Sequence, residues 1–275
     1  MNRIAFYKMN GSGNDFIIID NRRNVLPMDD ARVFASRVCR RKLSVGADGL
    51  ILVERSNAAD FKWRFFNSDG SEAEMCGNGS RCVARFAYQK EICGPDMTFE
   101  TLAGAICARV NGDRVKVTLP KPFAMKLDYE IELKQGPMTV SSINTGVPHV
   151  VVTVIDPDEA AVLPLGREIR FHPLFSPSGT NVNFVSSSPD GSLRIRTYER
   201  GVEDETLSCG TGAVAAAVVG VCRGEVGSPV TVNTRSGEDL KVYVERKGDN
   251  ITEVCLEGGT RLVYEGILTQ EAWQS

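Results

Sequence analysis

The chain has 275 residues, of which 42% are hydrophobic and 24% charged, and 32 Lys plus Arg stand against 35 Asp plus Glu for a net charge of −3. That is ordinary globular composition for one large domain or two compact ones, and it excludes a disordered or collagen-like chain. A near-neutral chain has no bulk field to attract nucleic acid or an anionic membrane, so neither is an expected partner.

The pattern predicts a mixed α/β protein. A β-branched run from Phe16 to Asp20 reads as the first strand. A helix is expected over Asp29–Lys42, with acids in its first turn, Val33, Phe34 and Val38 on one face, and three cations at its end. Strands follow at Gly49–Glu54 and Lys62–Asn67, then a helix over Asn78–Lys90 with Cys82, Val83, Phe86 and Ala87 at helical spacing. Further strands are expected at Arg114–Leu119, Val150–Ile155, Asn181–Ser186, Leu193–Glu199 and Lys241–Glu245. The remaining helix, Thr211–Cys222, is apolar all round, which predicts burial in the middle of its part of the fold.

The opening MNRIAFYKMN lacks the basic start and apolar region of a secretory signal. The longest apolar stretch, Ala213 to Cys222, is too short to span a bilayer. A cytoplasmic protein is therefore expected. Without a signal, and with enough chain to build a core, the eight cysteines, at 39, 76, 82, 93, 107, 209, 222 and 255, are not expected to form a disulfide framework, and with no C-x-x-C pair no metal knuckle is expected.

The chain also repeats itself at one offset. Gly13-Asn14-Asp15-Phe16 before three isoleucines matches Gly146-Val147-Pro148-His149 before three valines, and 146 − 13 = 133. Glu72 to Gly79, containing Cys76-Gly77-Asn78-Gly79, matches Glu205 to Gly212, containing Cys209-Gly210-Thr211-Gly212, and 209 − 76 = 133. Thr98 to Gly104 matches Thr231 to Gly237, and 231 − 98 = 133. This period is too long for a solenoid unit and fits two pseudo-symmetric halves. Two prolines in Leu119-Pro120-Lys121-Pro122 place the boundary, so the halves are expected at 1–120 and 121–262. Many strands and one central helix per half suggest a curled, mostly antiparallel sheet wrapped around that helix.

Each duplicated cysteine stands immediately before an expected helix, in a glycine-rich turn. Exposed N–H groups and the helix dipole favour an anion there, which lowers a thiol's pKa and makes it a usable base near neutral pH. If the halves are related by a pseudo-two-fold axis, the cysteines face one another. That geometry suits inversion of a stereocentre, in which one thiolate removes a proton and the opposite thiol supplies one. Two helix N-termini can bind the carboxylate and the charge it gains, with no cofactor required. Glu72 and Glu205 stand in cap territory. A free-standing cysteine is more often a small buried hydrophobe, and that reading applies to the other six.

Four segments carry a family resemblance: MNGSGNDF at 9–16, NSDGSEAEMCGNGSRC at 67–82, GTNVNFV at 179–185 and YERGVEDETLSCGTG at 198–212. Over essentially the whole chain it resembles the diaminopimelate epimerases. The resemblance implies a diaminopimelate epimerase-like fold whose last residues, 263–275, return to the first half. It implies homodimers and cofactor-independent interconversion of LL- and meso-diaminopimelate in lysine biosynthesis. It also implies that Cys76 and Cys209 are the acid–base pair. Asn14, Asn67, Gly77, Asn78, Asn181, Glu199, Arg200, Gly210 and Thr211 match substrate-binding positions, and His149 matches a site-wall residue that supports proton transfer.

The chemistry of these residue types agrees with that reading. Arg200 offers a bidentate carboxylate clamp and the asparagines offer donors and acceptors for an amino-acid substrate with two zwitterionic ends. His172, Asp15 and Asp69 read as structural. Val147 and Gly49 stand where many family members have Asn and Gln, which bears on fine specificity. A racemase or isomerase of another amino acid on the same scaffold is the enzymatic alternative, and a thiol redox or metal-binding protein the non-enzymatic one.

Overall fold

The computed structural model describes residues 3–26, 31–248 and 250–274. It divides into two compact units, residues 1–117 with 258–275, and residues 118–257.

The first unit opens with β1 (Ile4–Gly11) and β2 (Asn14–Asp20), joined by a tight turn with Ser12 and Gly13 at positive φ. The helix α1 (Ala31–Val38) follows. It stops at Val38 rather than Lys42, because the chain folds back there and Gly46 and Ala47 donate to the carbonyls of Val38 and Cys39. Arg40, Arg41 and Lys42 therefore stand in a turn, and the expected first-turn acids Asp29 and Asp30 lie outside the described residues. Next come β3 (Gly49–Glu54), β4 (Phe61–Asn67), β5 (Glu72–Ala73), α2 (Gly77–Gln89), β6 (Asp96–Thr101), β7 (Gly104–Asn111) and β8 (Arg114–Thr118).

The second unit carries β9 (Phe123–Leu133), β10 (Gly136–Asn144), β11 (Pro148–Thr153), α3 (Val162–Arg170), β12 (Asn181–Ser187), β13 (Leu193–Glu199) and β14 (Asp204–Thr206). It continues through α4 (Gly210–Arg223), β15 (Val230–Asn233), β16 (Asp239–Lys247) and β17 (Asn250–Gly259). The chain ends in the first unit with β18 (Arg261–Leu268), which pairs antiparallel with β1, and α5 (Glu271–Gln274).

Pairing is mostly antiparallel. Among the described residues the pairs β2–β3, β4–β6, β11–β12 and β13–β15 run parallel. Side chains alternate between the two faces of a strand, and in β2, β3, β11 and β12 both faces are covered. In the first unit Ile17, Ile19, Leu50, Leu52 and Phe66 form a core with Phe34, Ala35 and Val38 of α1. The alternate residues turn toward α2, which packs on β1, β2, β3 and β7. In the second unit Val150, Val152, Val182, Phe184 and Tyr198 form a core with Val162 and Ile169 of α3, and α4 packs against β10, β11, β12, β13, β15 and β16. The all-apolar α4 is accordingly buried along almost its whole length.

Strand-forming segments outnumber those the sequence pattern picks out. β9 and β10 form a hairpin in which β9 alternates exposed with half-buried or buried residues, and Gly136, at φ 111, opens β10 after the turn. The helix α3 is also absent from the sequence-based expectation. Leu163-Pro164-Leu165-Gly166 reads locally as a loop, yet Gly166 lies so close to Tyr198 that a Cβ would meet its ring at 2.8 Å, which lets the helix press onto the sheet.

Candidate functional site

Cys76 is the N-cap residue of α2, with extended backbone (φ −143, ψ 118), and its Sγ accepts the N–H of Gly79 at 3.4 Å. The sulfur thus takes the place a serine hydroxyl holds in an ordinary cap, against the positive end of a thirteen-residue helix. Ser80 N closes the first helical bond on the Cys76 carbonyl at 2.8 Å.

Two more of the expected residues meet beside this cap. Asn78 Nδ2 donates to Asn14 Oδ1 at 2.6 Å, and Asn14 Nδ2 donates to Asp48 Oδ2 at 3.0 Å. Arg81 anchors the group from below. It is fully buried, and its Nη2 donates to Asn78 Oδ1 at 2.9 Å and to Ser12 Oγ at 2.7 Å. Asp15 joins this chain through Asp48: its N–H donates to Asp48 Oδ2 and its Oδ1 accepts Asp48 N, both at 3.1 Å. Burial works to raise its carboxyl, but hydrogen bonds and charge from Arg41 and Lys8 outweigh it and hold it below the ordinary value. Asn67 stands at the end of β4, exposed, with Nδ2 on Ser71 Oγ at 2.9 Å. Asp69 caps that turn by accepting from Ser71 N and Oγ.

Cys209 is likewise the N-cap of α4 (φ −120, ψ 107), but its Sγ makes no cap bond and instead lies 3.4 Å from the Thr211 hydroxyl. Thr145 Oγ1 donates to the Thr211 carbonyl at 3.1 Å and ties this first turn to the end of β10. Asn181 begins β12 beside His149 of β11. Its Oδ1 accepts the backbone N–H of Arg200 at 2.8 Å and its Nδ2 donates to the Pro148 carbonyl at 3.3 Å. Arg200 sends Nη1 to the Ser178 carbonyl at 3.2 Å. Glu199 ends β13, half-buried.

His149 is buried beneath this layer. Burial, helped by the positive charge of Arg200, pushes its imidazole down to about 3. His172 is structural: its Nδ1 accepts from Leu174 N and caps a short 3-10 turn.

Glu72 and Glu205 are not helix caps. Glu72 pairs with Arg64 through two bonds of 2.7 and 3.1 Å. Glu205 receives Arg196 at 2.6 and 2.7 Å and Arg235 at 2.6 Å. These pairs brace the strand that leads into each cysteine. Two thiols elsewhere are held protonated: burial pushes Cys39 up to about 12 and Cys93 up to about 11.

Asn183 and Thr197 escape the sequence reading, as do Arg81 and Ser12. Asn183 lies two residues after Asn181, so alternation puts both on the face turned to α4. A polar side chain at that apolar position was the one available signal.

A sequence model of the diaminopimelate epimerase family matches residues 6–122 and 141–263. The chain belongs to the diaminopimelate epimerase family. A curated diaminopimelate epimerase of Aquifex aeolicus is 49% identical over 280 residues, covering 98% of this chain and 99% of the relative. One from Hydrogenobaculum sp. is 47% identical, covering 96% and 98%, and one from Archaeoglobus fulgidus is 44% identical, covering 97% and 96%. Among solved structures, a Bacillus anthracis phenazine biosynthesis protein of the PhzF family superposes with a TM-score of 0.75 at 16% identity, covering 98% of this chain and 100% of that one. A hydroxyproline epimerase from Agrobacterium vitis superposes with a TM-score of 0.72 at 18% identity, covering 98% and 93%. At such identities the likeness is one of fold: the α/β architecture expected from the repeat is the diaminopimelate epimerase-like one.

Proposed function

We propose that this chain interconverts LL- and meso-diaminopimelate by proton transfer at the α-carbon, with Cys76 and Cys209 as the two bases and with no cofactor. The observation that supports this reading is the cap position of both sulfurs. Each is the residue from which the central helix of its unit starts, so each stands at a helix N-terminus: Cys76 Sγ accepts the Gly79 N–H and Cys209 Sγ lies beside the Thr211 hydroxyl.

In the forward direction one thiolate takes the α-proton while the opposite thiol gives one to the other face of the carbon. The electron pair left by the departing proton delocalises into the carboxylate and is recovered by the new C–H bond. One thiol and one thiolate remain, exchanged, so the reverse reaction uses the same groups with roles swapped. The helix N-termini at Gly77-Asn78 and Gly210-Thr211 stabilise the negative charge that grows on the carboxylate. Asn14, Asn67, Asn181, Glu199 and Arg200 are assigned to the substrate's two zwitterionic ends, and His149 to support of the transfer. We further assign a cytoplasmic location and a homodimeric state on the family resemblance; sedimentation of the purified protein tests the latter.

The deciding experiment incubates the protein with LL-diaminopimelate in D2O without pyridoxal phosphate. Deuterium at one α-carbon, together with formation of the meso isomer, is expected. Epimerisation without solvent exchange, or only on addition of the cofactor, excludes the scheme.

A further inference from the structure

The two units build the face beneath their central helix from the same frame and fill it with opposite chemistry. In the first unit Phe16 pairs across the strands with Gly49, and Ile51 with Phe65. In the second unit His149 pairs with Asn181 and Asn183 with Thr197, in the same arrangement. The first set is hydrocarbon. Phe16, Ile51 and Phe65 are buried, and the two phenylalanine rings meet edge to face at 5.9 Å. The second set is polar and equally buried, with His149, Asn183 and Thr197 all at 3% exposure or less.

Burying three polar side chains is costly unless each finds partners. The fold does not require it, since the first unit makes the same face from apolar residues. Among themselves the three are almost satisfied. Asn183 Nδ2 donates to the Val150 carbonyl at 2.9 Å and faces His149 Nδ1 at 3.1 Å, while Thr197 Oγ1 donates to Asn183 Oδ1 at 3.0 Å. One atom is left over: His149 Nε2 is buried with no hydrogen-bond partner among the described residues.

These contacts dictate where the ring proton sits. A carbonyl only accepts, so the Asn183 atom facing Val150 is the amide nitrogen. Thr197 holds the amide in that orientation. The same NH2 group faces His149 Nδ1, which must therefore accept, and the imidazole proton belongs on Nε2. The network also touches the cysteine helix. A Cβ on Gly212 would fall 2.4 Å from Asn183 Oδ1 and 3.3 Å from Cys209 Sγ.

We propose that Asn183 is a positioning residue of the epimerisation site, holding His149 in the neutral tautomer that carries its proton on Nε2. His149 then serves the reaction as a preset hydrogen-bond donor and not as a base or proton shuttle. A substrate carboxylate is the acceptor whose chemistry fits that lone N–H. The depressed imidazole agrees, because a protonated Nδ1 would set two donors against each other. This inference rests on the epimerase reading above.

The test uses protein labelled with 15N in its two histidines, assigned with a His172→Gln variant. Two-bond 1H–15N spectra at neutral pH are expected to show His149 protonated at Nε2, with Nδ1 unprotonated. In Asn183→Leu, which copies the aliphatic filling of the first unit, that tautomer preference is expected to disappear, and kcat to fall on the order of tenfold or more with little change in KM. Thr197→Val removes only the hydroxyl that orients Asn183 and is expected to lower kcat in the same direction. It carries the kinetic test if Asn183→Leu does not fold. A wild-type ring protonated on Nδ1, or wild-type kcat in the variants, overturns the proposal. A wild-type protein that does not epimerise at all refutes the functional reading instead, and the spectrum still reports the tautomer.

Discussion

The backbone of Gly212 packs so tightly on Asn183 that a Cβ there would fall 2.4 Å from Asn183 Oδ1. At the matching glycine of the first unit, Gly79, the Cβ would meet Ile51 Cδ1 at 3.3 Å, the end of a flexible side chain, with Trp63 Cζ3 at 3.4 Å and Cys76 Cβ at 3.5 Å near ordinary contact. Gly212→Ala is expected to displace Asn183 and to cost about 1–3 kcal/mol of stability, as overpacked sites do. Gly79→Ala is expected to come out near neutral, because a methyl group can yield and alanine favours the helix. Denaturant unfolding of both variants gives the comparison, and equal losses would contradict this account of the contact.

The two cysteines serve one reaction in the proposed scheme, so each is indispensable in both directions. Cys76→Ala and Cys209→Ala are each expected to lower turnover from LL- and from meso-diaminopimelate by a factor of about 100 or more, the scale of acid–base catalysis. Steady-state rates with each isomer measure this. A single variant that retains near-wild-type turnover would rule out two thiols sharing the work.

His149 makes the fold sensitive to acid. Its imidazole is pushed from 6.5 to about 3 by burial first and by Arg200 second, so the folded protein keeps it neutral where the unfolded chain protonates it. The stability this gives is complete above pH 6.5 and is lost as pH falls toward 3. His149→Phe, the residue at the matching position 16, should shed less stability across that window than the wild type. Thermal unfolding as a function of pH checks it, and parallel curves for the two proteins would refute the assignment.

Gly49 has no room for a side chain. A Cβ would come within 2.5 Å of Phe65 Cε2 and 2.7 Å of the Phe66 carbonyl oxygen, and the latter is backbone. Gly49→Gln is therefore expected to destabilise the first unit by about 1–3 kcal/mol rather than simply add a polar contact. An unchanged melting temperature would show that the strand accommodates the larger residue.

How much could be read locally follows from what each feature depends on. Both N-cap cysteines and the helices they start were legible, because a cap and a 3.6-residue period are properties of a few neighbouring residues. Strands β2, β3, β4, β12 and β13 were legible as apolar runs between turn residues. The hairpin of β9 and β10 was not: its alternating polar residues acquire meaning only once a partner strand is present. The shortened α1 was set by the return of residues 46 and 47 onto its last carbonyls, and the pairing of Glu72 and Glu205 with arginines by cross-strand register.

By itself the sequence determined that two like units each launch a helix from a cysteine, since that information is local and repeats at a constant offset. Tertiary structure alone decided that position 183 is a buried amide wedged between an imidazole and the Cys209 helix, while its counterpart is an isoleucine. The reason is physical: whether an asparagine caps a turn, meets solvent or orients a histidine depends on atoms brought to it by strands and helices far away in the chain.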